Sequence, residues 1–354
     1  MDEDQRRRLK APSRATLHRA ISNPNPRTPP DERYKRSKTM LDVLKTTDIK
    51  AKTEVVTISD VERAREDALR QRFADFWASA TSDLRATYEA FISASPLVDG
   101  VSFEAVDEGG VSGWWVRPEQ ASTSKAFLYI HGGGYVLGSS QAYRGFVSQI
   151  VARTGVSAFI LEYPLAPEAS LPTAPNTALA AWDWLIAQGF QKIAIVGDSA
   201  GGGLSLVTLT QLGNGNSDVK PVAGVVFSPW VDLTLSGASM VDQSVVDPLI
   251  VYDYLKDCAQ KYIGSFSASD PLASPLLGDL QKLPPLLIQV GTDDRLLDDS
   301  RQFADRAAQS GVPVQLEIWE GMHHVFQLDV EHIESARTAL DRAAQFMLAA
   351  FNRG

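Results

Sequence analysis

Apolar positions fall into distinct rhythms along the chain. From 40 to 92 they recur at helical spacing: Leu69, Phe73, Phe76 and Trp77 stand at i, i+4, i+7 and i+8, with Arg63, Glu66, Asp67 and Arg70 expected on a solvated polar face between them. This spacing predicts helix throughout that stretch. After Asp99-Gly100, short apolar runs alternate with helical patterns. Strands are predicted at Val101–Val106, Gly113–Val116, Ala126–Ile130, Val156–Leu161, Lys192–Val196, Val222–Phe227, Leu286–Val290 and Val314–Trp319. Helices are predicted at Thr177–Ala187, Gly201–Leu212 and Ser300–Ser310. The late strands are almost wholly apolar, as parallel strands covered on both faces must be. The expected fold is therefore three-layer α/β: a mainly parallel sheet of about eight strands, its first two antiparallel, with helices on both faces.

Two segments break the pattern. Residues 232–275 interrupt the alternation and are long enough for an inserted helical element above the sheet edge. Residues 1–38 contain Pro12, Pro24, Pro26, Pro29 and Pro30 among few apolar residues, which predicts a disordered basic tail. The expected organisation is this tail, a helical segment over 39–98, and an α/β domain over 99–354.

Composition narrows the class. Hydrophobic residues at 44% and charged residues at 22% fit a globular chain and exclude a mostly disordered one. The single cysteine, Cys258, excludes an internal disulfide framework. No apolar run is long enough to span a membrane, and the opening Met1-Asp2-Glu3-Asp4 lacks a secretory signal, so a cytoplasmic enzyme is expected. Charge is uneven: residues 1–52 hold 14 Lys and Arg against 7 Asp and Glu, leaving 20 against 36 in the remainder. So acidic a body disfavours nucleic acid as a partner. Arg6, Arg7, Arg8, Arg14 and Arg19 hint at organelle import, but the acidic start points to a solvated extension.

The sharpest chemical motif is Gly197-Asp198-Ser199-Ala200-Gly201, between a predicted strand and a predicted helix. So tight a reversal strains the central residue and tolerates only small neighbours. It lifts the Ser199 hydroxyl to a helix N-terminus, where partial positive charge favours an oxyanion. A second motif, His131-Gly132-Gly133-Gly134-Tyr135, follows the third strand. Its glycines allow backbone N–H groups close to a ligand, so Gly133, Gly134 and Ala200 are candidate oxyanion donors. Neither glycine run has the spacing of a nucleotide loop. Five histidines are available as base. His18 lies in the tail, His131 is placed to brace its own loop, and His332 begins a helical stretch, which leaves His323 and His324. No zinc spacing accompanies that pair. The acid falls among Asp293, Asp294, Asp298 and Asp299, after the strand Leu286–Val290; helix capping accounts for the last two.

Leu128–Gly138, Leu165-Ala166-Pro167-Glu168, Gly197–Gly203, Ser228–Thr234 and Gly321–Gln327 together resemble the hormone-sensitive-lipase-like family of α/β-hydrolases, close to carboxylesterases and monoterpene ε-lactone hydrolases. The order serine, acid, histidine is that of these enzymes. The resemblance implies Ser199 as nucleophile, His324 as base and Asp294 as acid, with Asp293 the alternative acid, and Gly133, Gly134 and Ala200 as the oxyanion hole. It also implies a helical cap formed by the N-terminal segment and the insertion, with Phe73, Phe76, Trp77, Leu249 and Tyr252 as candidate roof residues. Tyr135, Val136, Trp230 and Val325 are expected on the pocket floor. Pro164 departs from the family, which often has arginine there. The implied activity is hydrolysis of short- to medium-chain esters, with lactones a further substrate class, through an acyl-enzyme and without metal or cofactor. The same triad serves amidases and deacetylases. Plant gibberellin receptors resemble the family but lack the histidine, whereas here all three triad types are present. A small-molecule ester or lactone is the expected partner, and a homodimer is compatible with the chain.

Overall fold

In the computed structural model, which describes residues 50–80 and 83–353, nine strands share one sheet. The predicted tail lies outside the described residues. In chain order the strands are β1 (Lys52–Val56), β2 (Val101–Glu108), β3 (Val111–Pro118), β4 (Lys125–Ile130), β5 (Ser157–Glu162), β6 (Lys192–Asp198), β7 (Gly224–Phe227), β8 (Leu286–Gly291) and β9 (Val314–Trp319). Their spatial order is β1-β9-β8-β7-β6-β4-β5-β3-β2. Only β3 runs against its neighbours, β2 and β5; every other adjacent pair is parallel.

β1 corrects the expectation of helix throughout 40–92. It adds a ninth strand at the sheet edge, pairing with β9 from Lys52↔Gln315 to Val56↔Trp319. Its side chains are mostly exposed, so no apolar alternation announces it. The helices α1 (Asp60–Ala78) and α2 (Leu84–Ile92) do follow. Ser59 caps α1 by accepting from the N–H of Glu62, and Asp83 caps α2 by accepting from Ala86.

The central strands are apolar because both faces are covered. Ala126, Leu128 and Ile130 of β4 join one core with α4 (Thr173–Ala187), α5 (Ser199–Asn214) and α7 (Leu297–Gln309). Phe127 and Tyr129 join the opposite core with α3 (Arg144–Thr154) and α8 (Glu334–Phe351). Truncating a side chain such as Leu128 in this layer costs about 2–5 kcal/mol. Residues 232–275 carry α6 (Tyr252–Ile263) and a short 3-10 turn, Ala238–Met240, and a second turn, Pro275–Leu277, begins at their end. α6 buries Leu255, Cys258, Ala259 and Tyr262.

This topology gathers the chemical motifs. The glycine loop follows β4, the serine follows β6, the aspartates follow β8 and the histidines follow β9. All four strands are parallel, so these loops leave the same edge of the sheet, where ligands bind in open α/β folds.

Candidate active site

Ser199 opens α5 directly after β6, with φ of 50°, in the left-handed region that a serine rarely adopts. Crowding around this turn explains its glycines. A Cβ on Gly201 would stand 2.1 Å from the carbonyl oxygen of Ile130, and one on Gly197 would meet the carbonyls of Gly201 and Ile130 within 2.7 Å. Only at such an approach does α5 begin immediately behind β4 and present the Ser199 hydroxyl.

The Ser199 hydroxyl donates to Nε2 of His324 at 2.9 Å. Nδ1 of His324 faces both carboxylate oxygens of Asp294 at 3.1 Å. Asp294 is wholly buried, and its Oδ1 also accepts the Leu296 N–H at 2.8 Å. Burial alone would depress the His324 pKa; Asp294 outweighs it, and the net direction is upward. Val325, next to the base, is held at φ of 52° while its N–H donates to Ser228 Oγ. The ring is therefore fixed on both sides, with Nδ1–H toward the acid and Nε2 free to accept a proton.

The glycine loop lies across from the serine. Asp198 Oδ1 accepts the Gly132 N–H at 2.9 Å and the Tyr129 hydroxyl at 2.6 Å, while its Oδ2 accepts from Tyr143 at 2.9 Å. Burial pushes the Asp198 carboxyl up to about 6, against the pull of these donors. His131 stacks on Tyr163 with centroids 4.4 Å apart, and the Tyr163 hydroxyl donates to the His131 carbonyl. Braced in this way, Gly133 and Gly134 adopt φ of 113° and 62° and face the same cavity as Ser199. The cavity measures about 360 Å³ and is walled mainly by apolar side chains, among them Trp77, Tyr88, Phe91, Leu249, Tyr254 and Val325.

The chain is similar to known proteins in both sequence and fold. Residues 127–328 match the α/β hydrolase fold family. The chain is 36% identical over 253 residues to an acetyl-hydrolase of Streptomyces hygroscopicus, covering 71% of this chain and 84% of that one. It is 32% identical to an esterase of Acinetobacter venetianus, covering 75% and 88% respectively. The crystal structure of an esterase from the bacterial hormone-sensitive lipase family superposes with a TM-score of 0.78 at 36% identity, covering 82% of this chain and 99% of that one. The chain belongs to the hormone-sensitive-lipase family of α/β-hydrolases. It is a carboxylic ester hydrolase.

Within this hydrolase, the structure brings together Ser199, His324 and Asp294, and sets Gly133 and Gly134 opposite them. Ala200 lies in the first turn of α5, where backbone N–H groups have no partner within the helix. Of the named pocket residues, Trp77, Leu249 and Val325 line the cavity, and Tyr135, Val136, Trp230 and Phe76 do not. Tyr135 turns inward instead, stacked on Tyr262 at 3.7 Å and packed against Trp230. Val136 offers its carbonyl to Arg85. Phe73 and Phe76 line a separate hollow of about 200 Å³ with Arg72 and His332. Tyr252 opens α6, partly exposed.

The other aspartates and the second histidine have different partners. Asp298 and Asp299 are in the first turn of α7, yet neither caps it. Asp299 accepts the N–H groups of Val231 and Asp232, and Asp298 that of Ser239, so both tie the start of the insertion to α7. Asp293 pairs with Arg70 at 2.9 Å. His323 pairs with Glu66 and Asp329. Arg85 of α2 is bonded to Glu168 and to the carbonyl of Ala166. Sequence reasoning missed Tyr88, Tyr254, Leu255 and Leu328 as lining residues, because their motif-free segments carry no chemical signature. Asp247 was missed for the same reason. Its carboxylate comes within 4.8 Å of both Asp294 and His324, making this the one three-ligand grouping among the described residues. Asp294 and His324 engage each other and Asp247 accepts backbone N–H groups, an arrangement suited to handling a proton. Among the described residues no helix is long and apolar enough to cross a membrane.

Proposed function

We propose that this hydrolase cleaves short- to medium-chain carboxylic esters by two-step acyl transfer. The observation that carries the reading is the 2.9 Å contact from Ser199 Oγ to His324 Nε2 at the wall of a small apolar cavity. His324 takes the hydroxyl proton as Ser199 attacks the ester carbonyl, and Asp294 stabilises the imidazolium. Backbone N–H groups of Gly133, Gly134 and Ala200 hold the developing oxyanion. His324 then protonates the leaving alkoxide, and water repeats the sequence on the acyl-enzyme to release the acid.

A cap built from α1, α2 and the insertion roofs this site, while residues from 99 onward supply the catalytic domain. At about 360 Å³ the cavity is at the small end of the roughly 300–1,000 Å³ typical of ligand pockets. Each added methylene gains about 0.8 kcal/mol only while apolar space remains, and beyond that it must displace packed side chains. Acyl chains of roughly two to eight carbons are therefore the preferred substrates. A compact cyclic ester meets the same limit, so lactones such as ε-caprolactone are a second substrate class. The names of the similar acetyl-hydrolase and esterase support a short acyl group.

The test is kcat/KM across p-nitrophenyl esters from acetate to palmitate, with ε-caprolactone and a matched anilide alongside. A maximum among the short chains with little anilide turnover is expected. A maximum at palmitate, or faster anilide cleavage, would contradict the proposal.

A further inference from the structure

Asp247 stands outside the triad but is bonded to what surrounds it. Oδ1 accepts the N–H groups of Leu249 at 2.9 Å and Ile250 at 3.0 Å, forming the turn that lays Pro248, Leu249 and Ile250 along the cavity. Oδ2 accepts the N–H of Arg295 at 3.0 Å, the residue directly after Asp294. One carboxylate thus fastens the cavity wall to the acid's loop, and it does so within 4.8 Å of both Asp294 and His324.

Resting on the assignment of Ser199, His324 and Asp294, we propose that Asp247 is a positioning residue for His324, fixing the acid's loop and placing a second negative charge beside the imidazolium. A turn that served only the cavity wall needs a single acceptor oxygen; here the other oxygen is spent on the triad loop. Three backbone donors on the two oxygens offset part of the cost of burying a charge there, and a charged Asp247 would stabilise a neighbouring imidazolium.

The groups facing His324 can be named from each element. Asp294 comes from the loop after β8, Asp247 from the insertion and Asp198 from the end of β6, and all three raise its pKa. His323 is adjacent in the chain and is held by Glu66 and Asp329. The Arg295 guanidinium is turned to the carbonyls of Ser239 and Asp242, and Arg70 lies between Glu66 and Asp293. Burial pushes the Asp247 carboxyl up and Asp294 adds to this; His324 and the backbone donors pull it down without reversing the net rise. Asp247 is therefore electrostatically linked to both partners.

The experiment compares wild type with Asp247→Asn, which keeps the volume, and Asp247→Ser, which keeps an acceptor for the turn. The kcat/KM profile for p-nitrophenyl butyrate is recorded from about pH 5 to 9, with melting curves to confirm folding. The base must be neutral to act, so the acid limb reports the His324 pKa. Removing a charge that raises this pKa should move the limb about one pH unit lower in both variants. The plateau should fall roughly three- to tenfold as the imidazolium loses support. Asp198 titrates in the same range but is present in all three proteins, so it cancels in the comparison. An unmoved limb, with changes confined to KM or chain-length preference, would overturn the proposal and leave Asp247 a wall residue. Ser199→Ala is assayed alongside: turnover surviving in that variant would instead refute the assignment of the nucleophile.

Discussion

Glu66 Oε1 stands 2.8 Å from Nδ1 of His323, and both side chains are wholly buried. The other ring nitrogen of His323 lies 3.1 Å from Asp329, so each nitrogen has a carboxylate partner and the ring is an imidazolium. One helical turn on, Arg70 pairs with both Glu66 and Asp293 and donates to the carbonyl of Gly321. Helix α1 therefore holds the residues preceding His324 and Asp294, neither of which it touches through these bonds. Packing of Phe73 against His323, with centroids 5.0 Å apart, closes the contact.

This pair makes stability depend on pH. Burial alone would lower the His323 pKa, but Glu66 and Asp329 raise it from 6.5 to about 10. Its stabilisation is fully present below the unfolded value and is lost as pH rises through about 10. Glu66 is shifted the other way: burial raises it, but His323 and Arg70 prevail and lower it from 4.5. Its share is present above that ordinary value and is lost as pH falls through the lowered one. Glu66→Gln should cost roughly 3 kcal/mol near neutrality, because it removes one partner of a buried pair. Thermal or urea unfolding of both proteins tests this; the difference should shrink once pH passes about 10. A gap that stays constant with pH would show that the pair is not ionic.

Neighbouring residues should behave unequally. Asp294→Asn should lower kcat by about four orders of magnitude, as loss of a tautomer-fixing acid does. His324→Ala should also cost several orders of magnitude. Asp293→Asn and His323→Ala disturb α1 rather than the proton path, so they should reduce melting temperature more than turnover in the folded fraction. Steady-state kinetics beside melting curves separate these effects. The reverse ranking would shift the triad by one residue in either loop.

The cavity wall should set chain length. Trp77→Ala or Leu249→Ala enlarges the apolar space, so longer acyl chains should gain about fourfold in kcat/KM for each methylene newly accommodated. Butyrate and decanoate esters give the ratio directly. An unchanged ratio in both variants would place the acyl group elsewhere.

The sequence revealed the parts whose physics is local. The elbow at Ser199 and the loop at Gly133-Gly134 need small residues at fixed spacing, and the two-sided core leaves apolar strands such as β4 plainly marked. β1 was hidden because an exposed edge strand of Lys52-Thr53-Glu54 has no apolar period. Tyr135 and Trp230 were misplaced because motif position does not say which way a side chain turns; Tyr135, at φ of 64°, turns into the core. Asp298 and Asp299 looked like caps from position alone, but their partners are 59 and 68 residues away in the chain. Glu66, expected on a solvated helix face, is instead buried against His323, and Asp247 meets the triad's surroundings only through tertiary contacts that its own segment does not announce.

The central claim is that Ser199 is the attacking atom. Treatment with a fluorophosphonate followed by peptide mass spectrometry should place one adduct on Ser199 of the wild type. Ser199→Ala, folded by its melting curve, should carry none and should lack ester hydrolysis. An adduct on another residue, or labelling of Ser199→Ala at the wild-type rate, would contradict the account.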